Sequence, residues 1–296
     1  MTRPEQPIPS PLDNPPESHY VPANGLRHHY YVWGEAANPP LLMLHGIGLC
    51  GLVWGSVARV LAEDYYVMSF DLRGHGGSDK PGSYTFHELG QDLVALVPAL
   101  GLEQPRLVGH SAGGSAALIA SSLAPGPLGP TVIVDSGVGG SRALTRPPDR
   151  RDRVTRTLRK RPVWESREAM AAAYQGRSVF RSWTDRAFQD YIQGGTRLLS
   201  DGRAELMCPP TVEAALYAER ATFSTSPYLV GLEGKFLLLL GNYPEAQKPG
   251  DAGIQEFLRE VKGSQVRVLE QGSHFAPMEY PDLVLREIRD FFTMMS

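Results

Sequence analysis

The 296 residues carry 29 Lys and Arg against 32 Asp and Glu, for a net charge of -3 and a pI near 6.3. That balance provides no field to draw nucleic acid or an acidic membrane surface, so a small molecule is the expected partner. The chain is long enough to bury a large core in one sizeable domain, with or without an insertion, and no run nears the roughly 18 apolar residues that span a bilayer.

Met1–Ser18 is rich in Pro and lacks the apolar stretch of a signal peptide, so a disordered or loosely draped arm is expected there. Between Tyr20 and Trp33 two strand-like pieces flank Asn24-Gly25, a strong antiparallel hairpin signal. Leu41–His45 is a compact apolar run ended by Gly, Val53–Ala62 reads as a helix, and Tyr66–Asp71 is another short run ended by a Gly-rich loop. Helix Phe86–Leu100, strand Arg106–Gly109, helix Ser111–Leu123 and strand Thr131–Asp135 continue the alternation. Residues 140–226 change character, with helix-forming stretches rich in Arg, Ala and aromatics and no strand-like run. Strand Lys235–Gly241, helix Ala252–Val261, strand Gln265–Glu270 and helix Pro281–Met294 follow. Strand and helix in strict turn predict an α/β fold with a doubly wound, mostly parallel sheet. Its core is expected at 19–139 and 227–296, interrupted by a helical cap at 140–226.

The chemistry is concentrated at Gly109-His110-Ser111-Ala112-Gly113, a G-x-S-x-G pentapeptide between an apolar run and a helix. Such a strand-to-helix turn is a nucleophile elbow, exposing the Ser111 hydroxyl while the helix amides face a developing oxyanion. A serine hydroxyl needs a base, and His274 lies in the loop between the last strand and last helix, at the same carboxyl edge as Ser111. His45-Gly46-Ile47-Gly48 follows a strand, so the Ile47 amide is assigned as one oxyanion donor and the Ala112 amide as the other. His45 and His110 read as hydrogen-bonding supports rather than proton carriers; His28, His29 and His87 read as surface or capping residues.

As a set, His45-Gly46, the loop Asp71-Leu72-Arg73-Gly74-His75-Gly76-Gly77-Ser78, Gly109–Gly113 and Gly272-Ser273-His274 resemble the α/β-hydrolase superfamily, in its order and spacing, over about residues 20 to 294. The resemblance implies an α/β-hydrolase fold, with the inserted helices as a lid, and a Ser-His-acid triad. Members commonly carry the acid after the strand that here is Lys235–Gly241, where this chain instead has Asn242-Tyr243-Pro244-Glu245. Some relatives carry it after the strand following the nucleophile helix, which here is Asp135. Asp135 is therefore favoured over Glu245, with Asp251 third as a helix N-cap. Haloalkane dehalogenases and epoxide hydrolases attack with Asp, whereas this elbow carries Ser, so acyl transfer to water on an ester or lactone is the expected reaction. A Ser-dependent C–C bond hydrolase and a non-catalytic small-molecule binder are the alternatives, and a thioesterase or perhydrolase would fit the same site.

Nine Lys or Arg against two Asp between Arg142 and Arg161 read as a solvated helical face, with recognition of a substrate carboxylate by Arg142 or Arg146 as the sharper hypothesis. Trp54, Phe275 and Met278 are expected to contact substrate, while Trp164, Tyr174, Phe180 and Trp183 read mostly as packing residues of the cap. Cys50 and Cys208 fit no disulfide or metal pattern, which points to reduced thiols in a cytoplasm. Neither a metal-ligand spacing nor a nucleotide fingerprint is present, so no cofactor is expected.

Overall fold

The computed structural model describes residues 16–124, 126, 128–140, 148–244 and 246–295, with the backbone alone for 148–152. Strands β1 (Glu17–Ala23) and β2 (Leu26–Trp33) form the expected antiparallel hairpin, turning at Asn24 and Gly25 with φ of 49° and 72°. Two consecutive positive φ angles make the turn whose twist matches paired strands, and Asn and Gly tolerate them best. Strands β3 (Pro40–Leu44), β4 (Tyr66–Phe70), β5 (Arg106–His110), β6 (Thr131–Val134), β10 (Phe236–Leu240) and β11 (Gln265–Val268) complete an eight-stranded sheet. Its order is β1-β2-β4-β3-β5-β6-β10-β11, antiparallel at β1/β2 and β2/β4 and parallel from β4 onward.

The parallel strands are short apolar runs because both of their faces are covered. Leu41 and Met43 of β3 join a cluster with α1 (Gly55–Leu61) and α10 (Pro281–Met295), whereas Leu42 and Leu44 face α2 (Phe86–Ala99) and α3 (Ala112–Leu123). On the latter side Ile133, Leu238 and Leu240 meet Ile254 and Phe257 of α8 (Ala252–Glu260). All five β10 side chains are at most 2% exposed, and each such leucine contributes about 1.5–3 kcal/mol by leaving water. At the start of α2, Thr85 and Glu88 satisfy each other's backbone amides in a capping box.

Between β6 and β10 the chain forms α4 (Pro148–Leu158), α5 (Arg167–Gln175), α6 (Asp185–Gly194) and α7 (Pro210–Arg220). It also forms three short strands, β7 (Val163–Trp164), β8 (Thr196–Leu198) and β9 (Ala204–Leu206), paired antiparallel in the order β7-β9-β8. This corrects the purely helical reading of the segment; runs of two or three residues are too short to show a period of two. Trp164, Tyr174 and Trp183 are at most 8% exposed and belong to the α1/α10 cluster, so among the described residues these aromatics pack into the main core rather than a separate one. Val53–Ala62 is likewise a tight turn at Gly51–Trp54 followed by α1. Among the described residues no helix is long and apolar enough to cross a membrane. Most of the expected arm, together with Arg142, Arg146 and Glu245, lies outside the described residues.

Candidate active site

The strand order reverses at β3: its successor β4 lies on one side and β5 on the other. The loops leaving β3 and β5 therefore diverge at the carboxyl edge and open a crevice there, and these are the loops that carry Ile47 and Ser111. Ser111 has φ 52° and ψ -115°, a backbone conformation that costs about 1–3 kcal/mol for a residue with a side chain. The turn is held by Ser111 N–H donating to Val134 O at 3.0 Å and Ser115 N–H donating to Ser111 O at 3.1 Å. A Cβ on Gly113 would run into the Leu44 carbonyl, so no larger residue lets α3 start this close to β3.

Three loops converge on the serine. His274 Nε2 lies 3.0 Å from Ser111 Oγ, and His274 Nδ1 lies 2.6 Å from Asp135 Oδ2. Asp135 follows β6 at φ 44°, a second strained residue at the same edge. Its carboxylate also accepts from Gly241 N–H at 2.9 Å and from the Tyr243 hydroxyl at 2.6 Å. Burial alone would raise the Asp135 pKa, but the hydrogen bond and charge of His274, then Tyr243 and the Gly241 amide, outweigh it and hold the pKa below the usual value. An ionised Asp135 can only accept, so Nδ1 of His274 carries the proton and Nε2 presents its lone pair to the Ser111 hydroxyl.

Two further histidines frame these groups as neutral supports. His110 Nε2–H donates to the His274 carbonyl at 2.7 Å, and burial, then the nearby His274, pull its pKa down to about 3. His45 Nδ1–H donates to Gly46 O at 2.7 Å while its Nε2 accepts from Leu72 N–H at 3.1 Å, and burial lowers its pKa too. In the loop after β3, Gly48 N–H donates to His75 Nε2 at 3.0 Å, tying Gly48 to the Gly-rich loop after β4. A Cβ on Gly46 would lie 3.1 Å from Ser111 Cβ, so this loop leans directly over the serine. Ile47 is half-buried there, and Ala112 opens α3, where first-turn amides have no intrahelical acceptor.

Two contributors were not recognised in the sequence. Tyr243 stands next to the position where relatives carry the acid and holds Asp135 instead. Glu279, in the short helix α9 (Ala276–Glu279), accepts from Ser273 N–H and Ser273 Oγ–H at 2.7 Å each and from Ser182 Oγ–H at 2.6 Å, clamping the loop that carries His274. A Glu six residues after Ser273 was the only local signal.

Trp54 and Met278 are 1% exposed and packed in the α1/α10 cluster. Phe275 is half-buried, with its ring 5.2 Å from that of His274 and 5.5 Å from that of Trp183. A cavity of about 220 Å³ adjoins His274 and Asp135, lined also by Tyr243, Arg220, Phe223 and Thr225. It is not lined by Trp54, Phe275 or Met278.

The model of the Alpha/beta hydrolase family matches residues 41–287. RutD of Caulobacter segnis, whose name assigns it to carbamate hydrolysis, is 33% identical over 115 residues, 38% of this chain and 43% of RutD. A fluoroacetate dehalogenase from a Burkholderia species is 42% identical over 84 residues, 26% of this chain and 28% of the dehalogenase. The chain thus aligns with less than half the length of these curated relatives. Among solved structures, an E-2-(acetamidomethylene)succinate hydrolase superposes with a TM-score of 0.79 at 21% identity, covering 94% of this chain and 99% of the other. The enol-lactonase of Burkholderia xenovorans LB400 superposes at 0.70 and 20% identity, covering 93% and 100%. At such identities these likenesses speak for the fold alone.

Proposed function

The chain belongs to the alpha/beta hydrolase family, and from that premise we propose that it is a serine hydrolase cleaving a carboxylic ester or lactone of a small molecule through an acyl-enzyme on Ser111. One observation carries the reading: the continuous hydrogen-bond chain Ser111 Oγ, His274, Asp135 with steps of 3.0 and 2.6 Å. The dehalogenase and epoxide-hydrolase branches use Asp as nucleophile, and Ser in that place favours attack on a carbonyl over displacement at a saturated carbon.

In the proposed cycle Ser111 Oγ attacks the ester carbonyl as its proton passes to His274 Nε2. The carbonyl oxygen becomes an oxyanion facing the Ile47 and Ala112 amides, each such donor being worth about 3–4 kcal/mol in the transition state. Asp135 stabilises the imidazolium without taking its proton. His274 then protonates the departing alkoxide, leaving the acyl-Ser111 ester. Water, deprotonated by His274, repeats the attack, and the collapse returns the proton to Ser111 and releases the acid. Within the expected cap segment 140–226, the described residues 148–226 act as the cap over this edge, and the cavity beside His274 and Asp135 is the candidate space for part of the substrate.

The test is turnover of p-nitrophenyl esters from acetate to decanoate by the wild type and by Ser111→Ala. A fall on the order of 10⁶ in kcat with unchanged thermal stability is expected. A folded wild type with neither burst nor turnover on any ester would overturn the ester reading and favour a C–C bond hydrolase or a binding protein.

A further inference from the structure

A second Ser-His-Asp chain is built on the edge hairpin and the loop after β4. Ser18 Oγ of β1 lies 2.7 Å from His29 Nε2 of β2, and His29 Nδ1 lies 2.6 Å from Asp71 Oδ2 in the loop after β4. Asp71 is 1% exposed and accepts two backbone amides besides, Gly51 N–H at 2.7 Å and Gly77 N–H at 2.9 Å. Asp135 likewise accepts a backbone amide and a second donor in addition to its histidine. An acceptor-only Asp71 puts the proton of His29 on Nδ1, so the Nε2 lone pair faces the Ser18 hydroxyl. The polarity of this chain is therefore that of Ser111, His274 and Asp135, from residues with no motif in common.

The two ends of the relay differ in exposure as a reactive site requires. His29 is 5% exposed and fixed between the rings of Tyr20 and Tyr31 at 4.9 and 4.7 Å, while Ser18 is exposed. Tyr20, 48% exposed, forms an aromatic ledge beside the serine, and the Arg27 guanidinium lies over the same ring at 4.3 Å. Fastening the hairpin to the core requires only the buried His29–Asp71 pair. The solvent-facing hydroxyl on the remaining imidazole nitrogen goes beyond that requirement, and a base fixed against a serine is what makes it nucleophilic.

We propose that Ser18 is a second activated serine, a covalent acceptor for activated aryl esters of carboxylic or phosphoric acids, with His29 as its base and Asp71 positioning His29. With a phosphoric triester, the Ser18 Oγ–P bond forms as the P–O(aryl) bond breaks. The phenolate leaves with the bonding electron pair, and the Ser18 proton passes to His29 Nε2 and on to solvent. Tyr20 favours the aryl leaving group by stacking.

The experiment treats the full-length Ser111→Ala variant with diethyl p-nitrophenyl phosphate and follows adduct formation by intact mass and peptide mapping. The exposed Ser178 and Ser200 are the internal references. The expected result is a diethylphosphoryl adduct at Ser18 forming roughly 100-fold faster than at either reference, the scale of a positioned base. In Ser111→Ala/His29→Gln, checked for folding by its melting curve, the Ser18 rate falls to that of the references. Ser18 reacting no faster than Ser178 and Ser200 overturns the proposal, as does an undiminished rate in a folded His29→Gln protein. If the His29 variant does not fold, the comparison within Ser111→Ala still decides.

Discussion

Asp135→Asn tests the proposed acid directly, because every hydrogen bond to its carboxylate comes from a donor on another loop. Oδ1 accepts from Gly241 N–H, and Oδ2 from both His274 Nδ1–H and the Tyr243 hydroxyl. An asparagine has one acceptor oxygen and one NH₂ to place over these three donors. With oxygen kept toward Gly241, the NH₂ faces His274 and Tyr243; Tyr243 rotates to accept, but His274 must move its proton to Nε2, where it confronts Ser111 and cannot act as base. With the amide reversed, the tautomer survives but the Gly241 N–H is left buried against NH₂, at about 1–3 kcal/mol. The first arrangement therefore dominates, and in either the negative charge that stabilises the imidazolium is gone. We expect kcat for a p-nitrophenyl ester to fall about 10⁴-fold, or about 5.4 kcal/mol at 1.36 kcal/mol per decade, with KM little changed. Glu245→Gln, measured alongside, should stay near wild type. An Asp135→Asn enzyme that is folded and keeps a tenth or more of kcat, or an equal loss in Glu245→Gln, would refute the assignment.

Three other outcomes follow from the same geometry. His75 and His110 are held neutral to about pH 3, chiefly by burial; the unfolded chain protonates both below about pH 6.5, so their stability contribution is complete above that pH. It is lost as pH falls from about 6.5 toward 3, at up to ~1.4 kcal/mol per pH unit for each, and urea midpoints that stay flat from pH 7 to 4.5 would contradict this. The lowered pKa of Asp135 has the same sign, with stability present above the unfolded carboxylate value and lost as pH drops through the folded one. Ser111→Gly should be more stable than Ser111→Ala by about 1 kcal/mol in denaturant titrations, since glycine relieves the φ of 52° at some entropic cost. Glu279→Ala should lower kcat more than it raises KM and destabilise the fold by about 1–3 kcal/mol by leaving the half-buried Ser273 N–H and hydroxyl without their acceptor, while the exposed Ser182 hydroxyl rehydrates; unchanged kinetics would remove Glu279 from the support of His274.

The sequence by itself determined what is encoded locally. Short apolar runs alternating with helical periods required a parallel sheet, Asn24-Gly25 required a tight hairpin, and glycines around Ser111 required a serine at a strand-to-helix turn, since each depends on residues within one or two turns of chain. The meeting of Ser111, Asp135 and His274 was not encoded that way. It spans 139 and 163 residues and depends on β6, β10 and β11 lying next to one another in register. Only that adjacency put Tyr243 and Gly241 on Asp135, making a carboxylate after β6 the partner of a histidine after β11. Tertiary packing likewise buried Trp54 and Met278, which chain proximity had suggested for substrate contact. It also buried His28 and His29, both read as surface or capping residues, and turned His29 toward Asp71. A single sequence carries periodicity and turn chemistry, whereas the contacts between distant loops come from how closely the sheet and its covering helices pack, and that is where the chemistry of this protein was decided.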